Sequence, residues 1–269
     1  MAWLDQLTRI PGFRSTWLRL DIGSTEDRLA HDIWQRPHYA YGVRQAANLA
    51  RALGHKAVTV IEFGVAGGRG LIAMEKLAAR FGRELGMRID VVGFDTGVGL
   101  PKPLDYRDAV HVWGQGYFEM DLIALTKQLA PSTKLILGNV DETAHKFAAE
   151  VSSPIGFISF DMDYYSSTME AFTLFEGSVD SRLPRVYCYF DDLVWPEEAC
   201  HNDYIGEYLA INEFNRAHEK QKICPLANLR WMRAHPARWN DQMYVMHDFA
   251  HPSYVVNIKP KHETGSLSL

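Results

Sequence analysis

The stretch that most constrains this chain is residues 57–70, where an apolar run passes through a glycine-rich turn into a helical pattern. The run 57–63 has the composition of a buried strand and carries Glu62 near its end. Three glycines follow within positions 64–68, and Leu71-Ile72-Ala73-Met74 begins a helical pattern. Glycine lets the backbone approach a ligand closely, and a helix start offers unpaired N–H groups. The stretch therefore predicts a strand, turn and helix that together bind a ligand.

The carboxylate of Glu62 indicates which ligand class this turn takes. A carboxylate repels a pyrophosphate, whereas it accepts hydrogen bonds from an ammonium group or from hydroxyls. The turn therefore favours S-adenosylmethionine over a nucleotide whose phosphates face it. A dinucleotide site is the competing interpretation, because residues 68–73 read Gly-Arg-Gly-Leu-Ile-Ala and fit G-x-G-x-x-A. In a dinucleotide site the first glycine of this motif follows the strand closely, whereas here the motif begins at Gly68, well past the end of the predicted strand.

Composition limits the classes of protein that this chain can belong to. With 269 residues, of which 47% are apolar and 23% charged, it has the makeup of an ordinary globular chain. The net charge of −5 gives no basic footprint for nucleic acid. Three cysteines without C-x-x-C spacing argue against a disulfide framework and a cysteine-rich zinc site. Asp5 and Arg9 interrupt any signal peptide, and no run reaches the roughly 18 apolar residues of a membrane helix. We expect a cytoplasmic protein.

Strand-like and helical patterns alternate from residue 57 onward. The predicted strands are 57–63, 89–94, 134–137, 155–160 and 186–190. The predicted helices are 70–84, 121–130, 141–151, 166–176 and 204–219. Five such alternations imply βαβ crossovers and helices on both faces of a sheet. We therefore expect an α/β fold with a doubly wound, Rossmann-like, mostly parallel seven-stranded sheet.

The two ends of the chain differ from this alternating region. Residues 1–56 show helical patterns and no strand, with the clearest helix at 42–53, and we interpret them as a helical cover. The segments 242–246 and 254–258 look like strands, and we expect them to form an antiparallel hairpin at one edge of the sheet. The predicted domain is then 57–260, followed by a polar tail at 261–269.

Acidic residues gather where the predicted strands end. Ligands of an open parallel sheet bind beyond the carboxyl ends of its strands, so these residues indicate a site. The acids at or just beyond the five strand ends are Glu62, Asp95, Asp141, the pair Asp161 and Asp163, and the pair Asp191 and Asp192.

Two of these strand ends suit an adenosyl group. Asp95 can bind both hydroxyls of a ribose, in either an adenosyl or a dinucleotide ligand, although a turn or helix-cap role would also explain it. Asn139 and Val140 follow the third strand and would lie beside the adenine, where Asn139 can pair with the edge of the ring.

The acids after the fourth and fifth strands suit a metal. Adjacent strands would place Asp163, Asp191 and Asp192 close together, where carboxylates without a cation repel one another. Mg²⁺ takes oxygen ligands and usually keeps some waters or substrate oxygens. The alternative is that these side chains cap helices or face water.

Five motifs in order resemble the macrocin O-methyltransferase family. They are E-F-G-V-A-G-G (62–68), F-D-T-G-V-G-L-P (94–101), G-N-V-D-E-T (138–143), D-M-D-Y-Y-S-S-T (161–168) and F-D-D (190–192). The family consists of class I methyltransferases that depend on S-adenosylmethionine and Mg²⁺ and act on sugar hydroxyls of macrolides. The resemblance covers about residues 57–195. Cephalosporin-hydroxylase-like proteins have a similar core, so the same motifs are compatible with a protein of that group as well as with a methyltransferase.

The resemblance implies a role for each matching residue. Glu62, Gly64 and Gly68 would line the methionine side of the cofactor, and Asp95 would hold its ribose. Asn139, Val140 and Asp161 would complete the cofactor site. The implied metal ligands are Asp163, Asp191 and Asp192.

The implied reaction is methyl transfer to a hydroxyl of a small molecule such as a sugar, a natural product or a diol. Asp163 is a candidate base, and His201 is a second one because it lies nine residues past Asp192. The acceptor pocket would be walled by aromatic side chains: Trp113, Tyr117, Tyr164, Tyr165 and Trp195. The alternatives are a non-catalytic adenosyl-binding protein and an NAD(P)-dependent oxidoreductase. We expect no nucleic-acid or membrane partner, and a homo-oligomer is compatible with the sequence.

Overall fold

A computed structural model describes residues 2–259, and within them seven strands form one sheet. The strands are β1 Ala57–Phe63, β2 Arg88–Asp95, β3 Lys134–Leu137, β4 Ile155–Phe160, β5 Arg182–Phe190, β6 Gln221–Pro225 and β7 Met243–Asp248. Their spatial order is β3-β2-β1-β4-β5-β7-β6. Strands β1 to β5 pair in parallel, and β7 runs antiparallel between β5 and β6. The predicted α/β, mostly parallel seven-stranded sheet is confirmed.

Helices cover both faces of the sheet. The helices of the described residues are α1 Ala2–Leu7, α2 Phe13–Leu20, α3 Thr25–Ala30, α4 Pro37–Ala52, α5 Arg69–Leu85, α6 Leu122–Thr126, α7 Val140–Glu150, α8 Tyr165–Ala171 and α9 Gly206–Ala217. Side chains of β1 alternate between two cores, since Val58 and Val60 pack with α4 and α5 while Ile61 and Phe63 pack with α7 to α9. This period of two is the one expected of a strand buried on both faces. No helix in the described part of the chain is long and apolar enough to cross a membrane.

The N-terminal segment reaches the sheet through α4. No residue between 2 and 56 forms a strand, as predicted, and α4 is longer than the predicted helix 42–53. Gly42 lies against the Phe157 ring of β4, where a Cβ atom would stand 2.2 Å from a ring carbon. This close approach brings the first turn of α4 to the carboxyl edge of the sheet. The domain boundary at 56/57 stays a prediction.

The predicted C-terminal hairpin is wrong in its second strand. Met243–Asp248 is a strand, but its antiparallel partner is Gln221–Pro225 rather than 254–258. Pro252 begins a short 3-10 turn in which the His251 ring accepts a hydrogen bond from the Ser253 N–H, so the chain leaves the sheet there. The strand β6 is held by Asn215, whose side chain bonds both the N–H and the C=O of Ile223. The predicted tail 261–269 lies outside the described residues.

Helix ends also differ from the sequence prediction. The predicted helix 121–130 ends at Thr126, and the predicted helix 166–176 ends at Ala171 and continues as a 3-10 turn over Phe172–Glu176. The fourth and fifth strands are nevertheless followed by helices in the predicted order, so the chemistry-bearing strand ends keep their places.

Candidate functional site

A cavity of about 330 Å³ lies at the carboxyl ends of the parallel strands. The sheet brings seven of the predicted site residues to its wall, from four strand ends and the start of α7: Gly64, Asp95, Val140, Asp161, Asp163, Asp191 and Asp192. The predicted residues outside this wall are Glu62, Gly68, Asn139 and His201. The cavity is therefore built largely from the residues that follow β1, β2, β4 and β5.

The glycine-rich turn after β1 is fixed by backbone contacts. Gly64 has φ 81°, and a Cβ atom there would stand 1.6 Å from the carbonyl oxygen of Asp161. No side chain fits between these two strand ends, which explains the glycine. Gly68 has φ 76° and precedes α5, and a Cβ atom on it would meet Leu125 at 2.1 Å. Gly68 therefore shapes the turn from beneath α6 rather than lining the cavity.

Asp95 connects the end of β2 to this turn. Its Oδ2 accepts a hydrogen bond from the Ala66 N–H at 2.8 Å, and its Oδ1 accepts one from the Gly97 N–H at 2.7 Å. A carboxylate offers about four acceptor positions, so about two positions remain for a ligand in the cavity. Asp95 is thus a brace for the turn, and its role toward ribose hydroxyls stays a prediction.

Glu62 lies behind the turn in a buried polar network. The Tyr39 hydroxyl donates to Glu62 Oε1 at 2.5 Å, and the Ser159 hydroxyl donates to the Tyr39 oxygen at 3.0 Å. Among the described residues Glu62 Oε2 has no hydrogen-bond partner. Burial raises the pKa of Glu62 to about 7, and the bond from Tyr39 opposes that rise. Glu62 is therefore a buried acid, and one of its two carboxyl oxygens accepts no hydrogen bond from the described residues.

Sequence reasoning missed both Tyr39 and Arg36. Burial lowers the pKa of the Arg36 guanidinium, but the neighbouring Tyr39, Glu62, Asp161 and Asp191 raise it above its ordinary value. The Arg36 Cζ also lies 5.2 Å from the centre of the Tyr39 ring. The start of α4 thus brings a cation toward the acids of the sheet edge. The Pro37 that begins α4 was the available signal, because it marks where that helix starts.

The acids after β4 and β5 form a linked set with Glu207 of α9. The Asp163 N–H donates to Asp192 Oδ2 at 2.9 Å, and the Asp192 N–H donates to Glu207 Oε2 at 3.0 Å. The Tyr189 hydroxyl donates to Asp191 Oδ1 at 2.7 Å. Asp163 has φ 63°, a left-handed conformation that aspartate adopts more readily than most other residues. These bonds hold the carboxylates of Asp191, Asp192 and Glu207 in place.

Burial dominates the electrostatics of this set, although the Arg36 guanidinium opposes the rise in the pKa of Asp161. Burial first, and then repulsion from Asp191, raises the pKa of Asp163 to about 7. Burial and neighbouring carboxylates likewise raise the pKa of Asp161, Asp192 and Glu207 well above the ordinary range. Glu207 was not predicted. The sequence signal that could have identified it is a glutamate at a position of α9 where the helical pattern predicts a buried side chain.

The donor set fits a hard cation in its chemistry. Asp163, Asp191 and Asp192 offer only oxygen atoms, which Mg²⁺ prefers, and Glu207 Oε1 is buried without a partner among the described residues. Within residues 2–259, however, no three His, Cys, Asp or Glu side chains are gathered in an arrangement that would hold a metal. The side chains would have to turn toward a common point, and the metal site stays a prediction.

His201 lies apart from the cavity wall. Its Nε2 is 3.3 Å from the carbonyl oxygen of Trp195, and burial lowers its pKa. Asp163, by contrast, lines the cavity directly. Of the two candidate bases, the position of Asp163 is the better one.

Aromatic side chains form the outer wall of the cavity. Trp113, Tyr117, Phe118 and Trp195 line it, and the last three are each about half exposed. Tyr164 and Tyr165, which the sequence also suggested for this wall, are buried elsewhere. An apolar wall opposite an acidic floor suits a ligand with a hydroxyl on a hydrophobic body.

The chain is similar, to different degrees, to several solved structures. The chain is similar to the calicheamicin methyltransferase CalS11, with 21% identity over 90% of this chain and 91% of that chain and a TM-score of 0.51. It is less similar to the apo structure of CalS11, a TDP-rhamnose 3′-O-methyltransferase, with 20% identity over 90% of this chain and 93% of that chain and a TM-score of 0.44. An O-methyltransferase from Bacillus cereus in complex with SAH has 12% identity over 87% of this chain and 98% of that chain, at a TM-score of 0.40.

No protein-family model and no curated protein sequence matches the chain. At 21% identity the likeness to CalS11 shows the fold alone. The reaction has to be inferred from the residues of the site. Membership of the macrocin family stays a prediction. The predicted fold itself is confirmed: the chain has the fold of the class I methyltransferases.

Proposed function

We propose that this protein is an S-adenosylmethionine-dependent O-methyltransferase that acts on a hydroxyl of a small molecule. The observation that carries the proposal is Asp95, which braces the glycine turn through Ala66 and keeps acceptor positions for ligand hydroxyls. The class I methyltransferase fold places this carboxylate at the edge where ligands of such sheets bind.

The proposed cofactor pose follows the wall of the cavity. The ribose lies at Asp95, the adenine lies beside Val140, and the methionine end lies along Gly64 toward Asp161. Asn139 precedes Val140 and is outside the wall, so its contact with the adenine edge would require a small movement of the start of α7. Glu62 lies buried behind the turn, and its negative charge supports the ammonium group of the cofactor electrostatically rather than by direct contact. Gly68 contributes by shaping the turn.

We assign Mg²⁺ to Asp163, Asp191 and Asp192. When bound, the ion would orient the oxygens of a diol and lower the pKa of the hydroxyl to be methylated. Its charge would also offset the repulsion among the buried carboxylates. Asp163 is then the proposed proton acceptor at the hydroxyl oxygen, with His201 as the second candidate. The aromatic wall would hold the body of the acceptor and exclude water.

A non-catalytic adenosyl-binding protein is the alternative. It would not require three further carboxylates in the wall of the same cavity, since these repel one another unless a cation or protons neutralise them. An NAD(P)-dependent oxidoreductase is disfavoured by the buried Glu62 carboxylate behind the turn, because that charge would repel a pyrophosphate.

The proposal predicts selective binding of S-adenosylhomocysteine. Isothermal titration should show binding of this ligand to one site per chain, and NAD and NADP should not compete with it. Conversion of S-adenosylmethionine during incubation with a panel of diols, sugars and phenols then tests for transfer. Binding of NAD or NADP that displaces S-adenosylhomocysteine would contradict the proposal, and cofactor binding without transfer to any acceptor would favour the alternative.

The buried Glu62 predicts a pH-dependent cofactor affinity. Burial raises the pKa of Glu62 from 4.5 to about 7. The free energy of unfolding that the protonated side chain contributes is therefore present below pH 4.5 and is lost as pH rises through 7. The ionised form attracts the ammonium group of the cofactor across the turn. The affinity for S-adenosylhomocysteine should therefore increase about tenfold between roughly pH 6 and 8.

Glu62→Gln should abolish this pH dependence, because glutamine does not titrate. Glu142→Gln replaces an exposed glutamate and should keep the dependence of the unmodified protein. Isothermal titration across the pH range measures both variants. An unaltered pH profile in Glu62→Gln would assign the titration to another group.

A further inference from the structure

A second concave surface lies between α5, the α2–α3 connection and residues 34–36. It has a volume of about 810 Å³, and none of its lining residues lines the cavity at the sheet edge. Asp21 is the one acidic residue in its described lining. We name it the basic groove for its six cationic side chains, which are Arg19, Arg28, Arg36, Lys76, Arg80 and Arg83. The lining of the groove is thus strongly positive, although the whole chain has a net charge of −5.

One face of α5 supplies half of these cations. Lys76, Arg80 and Arg83 follow a spacing of four and three residues, which places them on the same side of the helix. Like charges at this spacing destabilise a helix. A favourable interaction with the helix dipole explains Arg83 in the last turn, but it does not explain Lys76 in the middle of the helix.

Acidic side chains neutralise the groove only in part. Asp21 Oδ1 accepts from Arg28 at 2.8 Å and from Arg80 at 2.7 Å, so one exposed oxygen serves two guanidinium groups. Glu84 Oε1 adds a bond to Arg80 Nε at 3.2 Å. Within residues 2–259, no carboxylate forms an ion pair with Lys76 or Arg83.

The inner wall of the groove contains buried donors without partners. Two guanidinium groups lie near the Trp34 ring, with the Arg28 Cζ at 4.6 Å and the Arg80 Cζ at 4.9 Å from its centre. Arg28 is only 2% exposed, and burial together with Arg80 lowers its pKa, against the opposing effect of Asp21. Its Nε and the Trp34 Nε1 have no acceptor among the described residues. Every unsatisfied side-chain group in this wall is a donor.

We propose that the basic groove binds the diphosphate group of a small phosphorylated ligand. The volume is in the range of small-molecule pockets, and a fork of arginines matches phosphate oxygens. A diphosphate supplies acceptors for the exposed cations of the groove and the negative charge that Asp21 supplies only in part. The two cavities share no lining residue. Because Arg36 of the groove also lies near Asp161 and Asp191, the test uses Lys76 and Arg83 instead.

The test is isothermal titration of inorganic pyrophosphate into the full chain, in buffer with EDTA so that no divalent cation complexes the probe. The unmodified protein should bind one pyrophosphate. The double variant Lys76→Gln/Arg83→Gln should bind it at least about tenfold more weakly, since two exposed cations are removed. Its affinity for S-adenosylhomocysteine should not change.

The matched control is Arg216→Gln/Lys220→Gln, which removes two exposed cations at the end of α9 and beyond it. It should bind pyrophosphate as the unmodified protein does. Absence of binding by the unmodified protein, or equal losses in both double variants, would overturn the proposal. Titration with UDP distinguishes a nucleoside diphosphate from a free diphosphate as the ligand. Tighter binding of UDP than of pyrophosphate identifies a nucleotide ligand, and weaker binding identifies a free diphosphate.

Discussion

Asp95→Ala is expected to weaken the binding of S-adenosylhomocysteine about a hundredfold, or close to 3 kcal/mol. The substitution removes a carboxylate that would accept from two ribose hydroxyls, and hydrogen bonds to a charged group contribute about 1.5–3 kcal/mol each. It also removes the acceptors of the Ala66 and Gly97 N–H groups. Isothermal titration measures the change, and Asp141→Ala is the control because it removes an exposed carboxylate near the same edge of the sheet.

A ligand without ribose hydroxyls separates the two roles of Asp95. If Asp95 binds the ribose, the 2′,3′-dideoxy analogue of S-adenosylhomocysteine should lose far less affinity on Asp95→Ala than the parent ligand does. If Asp95 acts only by bracing the turn, both ligands should lose affinity equally. Equal losses would therefore refute the ribose assignment while leaving the fold argument intact.

The unit from β1 to α5 was predictable from sequence because its causes are local. An apolar run, a positive φ that requires glycine at Gly64, and a helical pattern all act within about twenty residues. The gathering of Asp95, Asp161 and Asp191 was predictable for a related reason. Parallel strands end at the same edge, so the residue after each strand falls in one place whatever the register.

The missed features depend on contacts that no local pattern encodes. Tyr39 and Glu62 are 23 residues apart, and their bond exists because Gly42 lets α4 lie against Phe157. Glu207 reaches Asp192 only because α9 packs against the 3-10 turn Asp191–Leu193 that follows the fifth strand. Period and spacing indicate that such side chains are buried, but they do not indicate which partner meets them.

The wrong hairpin has a similar cause. The true edge strand Gln221–Pro225 is polar and ends in proline, so its alternation is weak. The segment 254–258 is more apolar, yet Val255 is 87% exposed. The side chain of Asn215 fixes the edge strand at Ile223, and a tertiary contact of that kind outweighs strand propensity.

The largest effect is expected from Asp191→Asn. At saturating Mg²⁺ the rate of methyl transfer should fall about a thousandfold, because a carboxylate ligand is lost from the ion that would activate the acceptor hydroxyl. The affinity for S-adenosylhomocysteine should change less than about threefold, since asparagine keeps the size of the side chain and an oxygen that can accept from Tyr189. The rate is measured as formation of S-adenosylhomocysteine with an acceptor found in the panel, and the affinity by isothermal titration.

Tyr189→Phe is the matched control for this variant. It removes the hydroxyl that donates to Asp191 Oδ1 but leaves the carboxylate in place. If Asp191 binds the metal, Tyr189→Phe should retain most of the rate and should still require Mg²⁺. If Asp191 acts only through Tyr189, the two variants should lose the rate alike. EDTA gives the independent check: a rate that EDTA leaves unchanged in the unmodified protein would exclude the metal role, and Asp163 would then act as a base without a metal.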